Sequence, residues 1–234
     1  MKKILPICLF FALAACGSHS PVEQRKVMVE QQIRQRGVTD QAILNALLSV
    51  PREEFVAPTY RKQAHDDIEA PIGNGENLNR PIEDAQMLEA LNVQVTDRVL
   101  EVGTGAGYLA ALVAELGKEV YTIEIEPKIA EQAKKKLFKL GYDNITVRTG
   151  DGFVGWPDQA PFDAILMSCS PNYVPQPLID QLKEGGRLVV PIGGQQKFQE
   201  MVLFVKKDGK IKLERRLGPA AFRPMKGIIE EQKK

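Results

Sequence analysis

The 234-residue chain has one tryptophan, two histidines and three cysteines, and these scarcities exclude several chemistries at once. Cys8 and Cys16 fall in the N-terminal stretch, which leaves Cys169 alone, and one cysteine makes no internal disulfide. Cys169 is far in sequence from both histidines and reads as a small buried apolar residue rather than a nucleophile. His19 and His65 have no metal-ligand spacing to other histidines or cysteines, so no metal is expected. The 31 basic residues are matched by 30 acidic ones, which leaves no electrostatic footprint for nucleic acid, and no such partner is expected. Apolar residues make up 44% of the chain, enough for one well-buried domain, yet the apolar run at 4–13 is too short to span a membrane. Internal repeats and low-complexity segments are also missing.

What is present is concentrated in residues 99–107, VLEVGTGAG. A strand over 98–102 is expected to end in a glycine loop that feeds a helix over 108–116. Glycines at 103, 105 and 107 allow a tight turn and close approach to a flat ligand, where a Cβ would collide. A dinucleotide fingerprint, G-x-G-x-x-G, needs a third glycine where this chain has Tyr108. The pattern here, Glu101 followed by Gly103, Thr104, Gly105 and Gly107, resembles motif I of the S-adenosylmethionine-dependent methyltransferases. That cofactor has no pyrophosphate to neutralise, so a carboxylate at Glu101 is tolerable and can hold the amino-acid end. The next strand, 118–126, reaches Glu124, about 20 positions past the first glycine, where a doubly wound fold sets a carboxylate against ribose hydroxyls. Ile125 then lies against one adenine face. A third strand, 144–152, ends in Gly-Asp-Gly, with Asp151 placed to accept from the adenine amino group and Gly152 setting the bend.

Helices are expected over 25–36 and 40–48, split by Gly37. The second is capped by Thr39 or Asp40 and buried along Ile43, Leu44, Leu47 and Leu48. Residues 71–81 read as irregular and glycine-rich, and 82–91 as a helix leading into the first strand. Strands at 161–167 and 186–191 continue the alternation, and 201–206 with 211–216 read as a closing hairpin about an Asp-Gly turn. The expected fold is α/β: a doubly wound, mostly parallel seven-stranded sheet with helices on both faces and an antiparallel C-terminal hairpin. Ligands of such sheets bind at the carboxyl ends of the strands.

Several segments beyond the glycine loop carry a closer likeness. Residues 50–56 (VPREEFV), 71–75 (PIGNG), 150–156 (GDGFVGW), 160–165 (APFDAI) and the tail 218–227 (GPAAFRPMKG) resemble the protein-L-isoaspartate O-methyltransferase family, from about residue 27 to 227. The resemblance implies S-adenosylmethionine as cofactor and isoaspartyl-containing proteins or peptides as substrates. It also implies methyl esterification of the free α-carboxylate of the isoaspartyl residue, after which the ester cyclises to a succinimide that reopens partly to aspartate. The family usually follows its P-I-G-x-G segment with Thr-Ile-Ser-Gln-Pro, and its serine is assigned the catalytic position. This chain reads Asn77-Leu78-Asn79-Arg80-Pro81, so Asn79 stands at the serine position and Arg80 at the glutamine. Asn79 can donate a hydrogen bond through its amide and Arg80 can grip a carboxylate through two. The alternatives are a changed carboxylate acceptor or a binding-only role. Ser168 matches a position where the family commonly has threonine.

The N-terminus reads separately. Lys2 and Lys3, the apolar run and Leu13-Ala14-Ala15-Cys16 make an export signal, and the last four residues resemble a bacterial lipobox with Cys16 as the lipidated residue. The expected layout is a signal peptide over 1–16, a polar tether over 17–24 and one methyltransferase domain over 25–234. The protein is accordingly expected to be an exported monomer, anchored in a bacterial lipid bilayer and facing the periplasm or the outside.

Overall fold

The computed structural model describes residues 20–193 and 198–231. The expected signal segment, with Cys16, lies outside the described residues. The expected tether does not persist to residue 24. Ser20 caps α1 (Pro21–Val27) in a reciprocal box with Glu23, and Pro21 supplies a preset φ in the first turn. The helical path widens over Met28–Ile33, tightens over Arg34–Arg36 and stops at Gly37, whose φ of 97° ends it. In α2 (Gln41–Ser49) the cap is Asp40, which accepts from the backbone N–H groups of Ala42 and Ile43 at 2.8 and 3.1 Å. Ile43, Leu44 and Leu47 are buried as expected, while Leu48 is half-buried.

Residues 71–81 depart from expectation. They contain a two-stranded hairpin, β1 (Ala70–Gly73) and β2 (Glu76–Leu78), around Asn74 and Gly75. Both turn residues take positive φ, 55° and 78°, the mirror-image turn for which Asn-Gly is the usual sequence. After α3 (Pro81–Leu91) come β3 (Arg98–Val102), α4 (Tyr108–Ala114), β4 (Glu119–Glu124), α5 (Pro127–Lys139), β5 (Ile145–Thr149) and β6 (Phe162–Met167). The chain then runs through α6 (Gln176–Gln181), β7 (Leu182–Ile192), β8 (Gln199–Lys207), β9 (Lys210–Ala220) and α7 (Ile228–Glu231).

The strand order is β5-β4-β3-β6-β7-β8-β9, parallel from β5 to β7 and antiparallel through the last two. Side chains alternate across it and divide the core. Val99, Leu166 and Val189 pack beneath α2, α3 and α4, while Leu100, Ile165, Met167 and Leu188 face the layer with α6. From β3 the chain winds to β4 and β5 on one side and returns to β6 and β7 on the other. The carboxyl ends of β3 and β6 therefore diverge into a crevice at the point where the winding reverses.

A polar lock holds α1 against the body. Arg25 donates from Nη1 to both oxygens of Glu53, at 2.7 and 2.9 Å, and His65 Nε2 lies 3.2 Å from the same carboxylate. Burial raises the pKa of Glu53, but hydrogen bonds from His65 and its own backbone N–H, and the charge of Arg25, outweigh it and hold the carboxyl at about 2 against an ordinary 4.5. A carboxyl depressed in the fold adds stability above its unfolded value and loses it as pH falls through the folded one. Glu53→Gln is expected to cost about 3 kcal/mol near neutrality. It should also flatten the decline in stability from pH 4.5 to 2. Denaturant unfolding of both chains across that range checks this; equal slopes would remove the lock.

Candidate active site

The crevice is a cavity of about 540 Å³. Its floor is the loop after β3. Gly103 and Thr104 both donate backbone N–H groups to the Ile123 carbonyl, at 2.9 and 3.2 Å, and Gly105 donates to Glu124 Oε2 at 2.9 Å. These bonds pin the loop to the end of β4. Gly105 has φ of 53°, and a Cβ there would meet nothing closer than Ile72 Cδ1 at 3.8 Å, so its open side is ligand space. Gly152 has the opposite reason for its identity: a Cβ would overlap the Val102 side chain. Ser168, after β6, donates to the Gly103 carbonyl at 2.5 Å and closes the loop from the far side.

Of the residues expected to hold a cofactor, Glu101, Gly103, Thr104, Gly105, Glu124, Ile125 and Gly152 line the cavity. Gly107 and Asp151 do not. A Cβ on Gly107 would press on Leu137, so this glycine serves helix packing. Asp151 spends its carboxylate on the backbone, accepting from Phe153 N at 2.8 Å and Ile228 N at 2.7 Å. It ties the tail to the end of β5. Cys169 also faces the cavity, and burial with the neighbouring carboxylates Glu124, Asp151 and Glu101 pushes its thiol up to about 12. It holds its proton at neutral pH.

Glu101 is fully buried. Thr122 Oγ1 lies 2.5 Å from its Oε2 and 2.6 Å from Thr104 Oγ1, which makes a three-residue hydrogen-bonded chain. The other oxygen, Oε1, has no hydrogen-bond partner among the described residues. Burial pushes the carboxyl up to about 8, the Thr122 hydrogen bond offsets this in part, and Asp84 and Glu124 add to the rise. At about 8 the carboxyl by itself keeps its proton near neutrality, and a cationic ligand group beside it would favour the ionised form. The residues present therefore fit the ammonium end of S-adenosylmethionine, and Glu124 lies where ribose hydroxyls are expected.

Asn79 and Arg80 part company. Asn79 lines the cavity and donates from Nδ2 to Asp84 Oδ1 at 2.8 Å. Arg80 lies outside the cavity wall, and its guanidinium is engaged by the Asp67 carboxylate. The two-point grip expected for a ligand carboxylate is thus made within the chain. Behind Asn79 sits a cluster that the sequence reading did not single out. Arg52, fully buried, donates to the Ala64 carbonyl at 2.8 Å and the Asn79 carbonyl at 2.5 Å, and lies 3.4 Å from Asp84 Oδ2. Its guanidinium carbon is 4.7 Å from the centre of the Tyr108 ring. Burial pushes Asp84 up to about 6 against the pull of Arg52 and Asn79. One signal was available: Asp84, Leu88 and Leu91 share a buried helical face, so the carboxylate stands on the core side of α3.

The roof is held differently. Arg223 pairs with Glu76 at 3.1 Å, and Lys226 reaches Glu76 at 3.3 Å and Glu126 at 3.8 Å, all with partly exposed side chains. These bonds draw the tail and the β1–β2 hairpin together over the cavity.

Residues 23–227 match the family described as Protein-L-isoaspartate(D-aspartate) O-methyltransferase (PCMT). The chain belongs to this family. It is 46% identical over 198 residues to the protein-L-isoaspartate O-methyltransferase of Gloeobacter violaceus, covering 85% of this chain and 96% of that protein. The enzyme of the same name from Opitutus terrae is 46% identical over 223 residues, 95% of each chain. A solved protein-L-isoaspartate O-methyltransferase superposes with a TM-score of 0.77 at 30% identity, over 90% of this chain and 67% of the other. A Plasmodium falciparum structure described as a complex with S-adenosyl-L-homocysteine has the same fold, with a TM-score of 0.74 at 24% identity.

The family's glycine loop generates a direct test. Gly105→Val places a branched side chain in the ligand space at a left-handed φ, and its affinity for S-adenosylmethionine is expected to fall about 100-fold or more. Binding calorimetry on the folded variant checks this. An unchanged Kd would show that the ligand lies elsewhere.

Proposed function

We propose that the cavity binds S-adenosylmethionine at the glycine loop and methylates an isoaspartyl carboxylate presented beside Asn79. Methyl esterification of L-isoaspartyl residues in damaged proteins is the reaction of the family, and it is the activity of this chain. The observation that carries the assignment to this cavity is its floor: a motif I loop open at Gly105, above a buried Glu101 with an unpartnered oxygen.

When bound, the cofactor would supply a methyl group whose C–S bond to the sulfonium breaks as the acceptor oxygen forms the C–O bond, the neutral thioether leaving. The acceptor carboxylate is ionised at neutral pH, so the chain has no proton to remove from it. Its residues hold, orient and dehydrate. Ser168 and Glu124 fix the loop, Glu101 receives the cationic end, and Asn79 offers an amide N–H to the acceptor. Positioning of this kind supplies roughly 7–11 kcal/mol at its ceiling. The proposed active unit is a monomer.

The assay is methyl transfer from labelled S-adenosylmethionine to paired peptides, one isoaspartyl and one aspartyl, by the chain lacking residues 1–16. Transfer to the isoaspartyl peptide alone is expected. Cofactor binding without transfer to either would point to a changed acceptor or a binding role, for which Asn79 at the serine position is the motive.

We also propose that the protein is exported and lipid-anchored through Cys16. Support comes from Lys2, Lys3, the apolar run at 4–13 and the Leu-Ala-Ala-Cys sequence ending at Cys16. A single lipid chain gives marginal binding, and stable anchoring takes a second chain or signal. Cys16→Ala is expected to move the full-length protein from the membrane to the soluble fraction; unchanged fractionation would remove the anchor.

A further inference from the structure

We infer that Asp84 is a positioning residue, which fixes the side-chain amide of Asn79 so that a carboxamide serves where the family has a hydroxyl. The inference rests on the reading of the cavity as the methyl-transfer site. Positions 79 and 84 then form a matched pair.

Three observations carry it. Asp84 is 1% exposed, lines the same cavity and reaches Asn79 at 2.8 Å. Its two oxygens are used separately, Oδ1 by Asn79 and Oδ2 by Arg52. Arg52 also takes the Asn79 backbone carbonyl, so the residue is held at both main chain and side chain from one buried cluster.

The orientation follows from chemistry. An ionised carboxylate only accepts, so the atom of Asn79 that faces Asp84 is its nitrogen. The second N–H and the carbonyl oxygen of the amide are left for the cavity in a defined order. Without Asp84 the amide can turn over and present the reverse order. Serine needs no such partner, because its single hydroxyl rotates to suit its acceptor.

Asp84→Asn separates positioning from scaffolding. The guanidinium is the stronger donor and keeps the new carboxamide oxygen, so the NH2 of residue 84 faces Asn79 and forces its amide over. Expected is a fall of about 10–100-fold in kcat on the isoaspartyl peptide, the size of one misdirected hydrogen bond at a reacting group. The Kd for S-adenosylmethionine should stay close to that of the parent, while the thermal midpoint falls, because the buried Arg52 loses the charge that compensates it. In an Asn79→Ala background the same substitution should cost nothing further, because there is no amide left to orient. Full activity of Asp84→Asn, or an equal loss in the Asn79→Ala background, overturns the inference.

If Asp84→Asn fails to fold, Asn79→Ser carries the test with the Arg52–Asp84 pair intact. The serine should be slower than the parent, because the main chain and Asp84 are set for a longer side chain. A faster enzyme overturns the pairing. Inactivity of the parent on isoaspartyl peptide is a separate outcome: it refutes the acceptor assignment on which the inference rests.

Discussion

A buried positive charge organises this molecule. Arg52 has no exposed surface, and a guanidinium in that position must find all its partners inside the protein. It finds them on four segments: the carbonyl before His65, the end of the β1–β2 hairpin at Asn79, Asp84 on α3 and the Tyr108 ring at the start of α4. The last three are walls of the ligand cavity. Removing the charge would leave a buried carboxylate, two backbone carbonyls and an aromatic face without their shared partner. The back of the site is therefore as thoroughly buried and bonded as the core, although it is built largely from loop ends.

The floor is short of positive charge. Glu101 has Thr122 for one oxygen and no partner among the described residues for the other, with Asp84 and Glu124 as further acidic neighbours. Within one cavity, then, one carboxylate is paired with a resident cation and another carboxyl group is left without one. This asymmetry gives the donor and acceptor ends of the site different characters.

Much of this was legible in the residue order. The β3 strand, the glycine loop and the alternation of strand and helix through β7 follow from short continuous apolar runs, buried on both faces, and from glycines at forced turns, which are local signals. The β1–β2 hairpin was also local, since Asn74-Gly75 prescribes its turn, but its strands are too short to show alternation. The first turn of α1 was hidden by its polar composition, although Ser20 and Glu23 spell a capping box. What could not be read along the chain were pairings across it. Arg80 is paired with Asp67, and Asp151, at a strand end, accepts from the backbone of the tail. Arg52 and Asp84, 32 positions apart, carry no mutual signal in one sequence.

The contrast between floor and roof has a mechanical meaning. The floor is fixed by buried bonds and a desolvated charge, whereas the roof rests on ion pairs among Glu76, Glu126, Arg223 and Lys226 at the surface. Exposed pairs are worth about 0–1 kcal/mol each and are screened at physiological salt. A bulky polypeptide can therefore part the hairpin from the tail at small cost, while the tail itself stays held to the body through Phe222, Met225 and Asp151 and the reacting geometry beneath stays in register. Entry of a large substrate and precision at the reacting atoms are assigned to different parts of one small cavity.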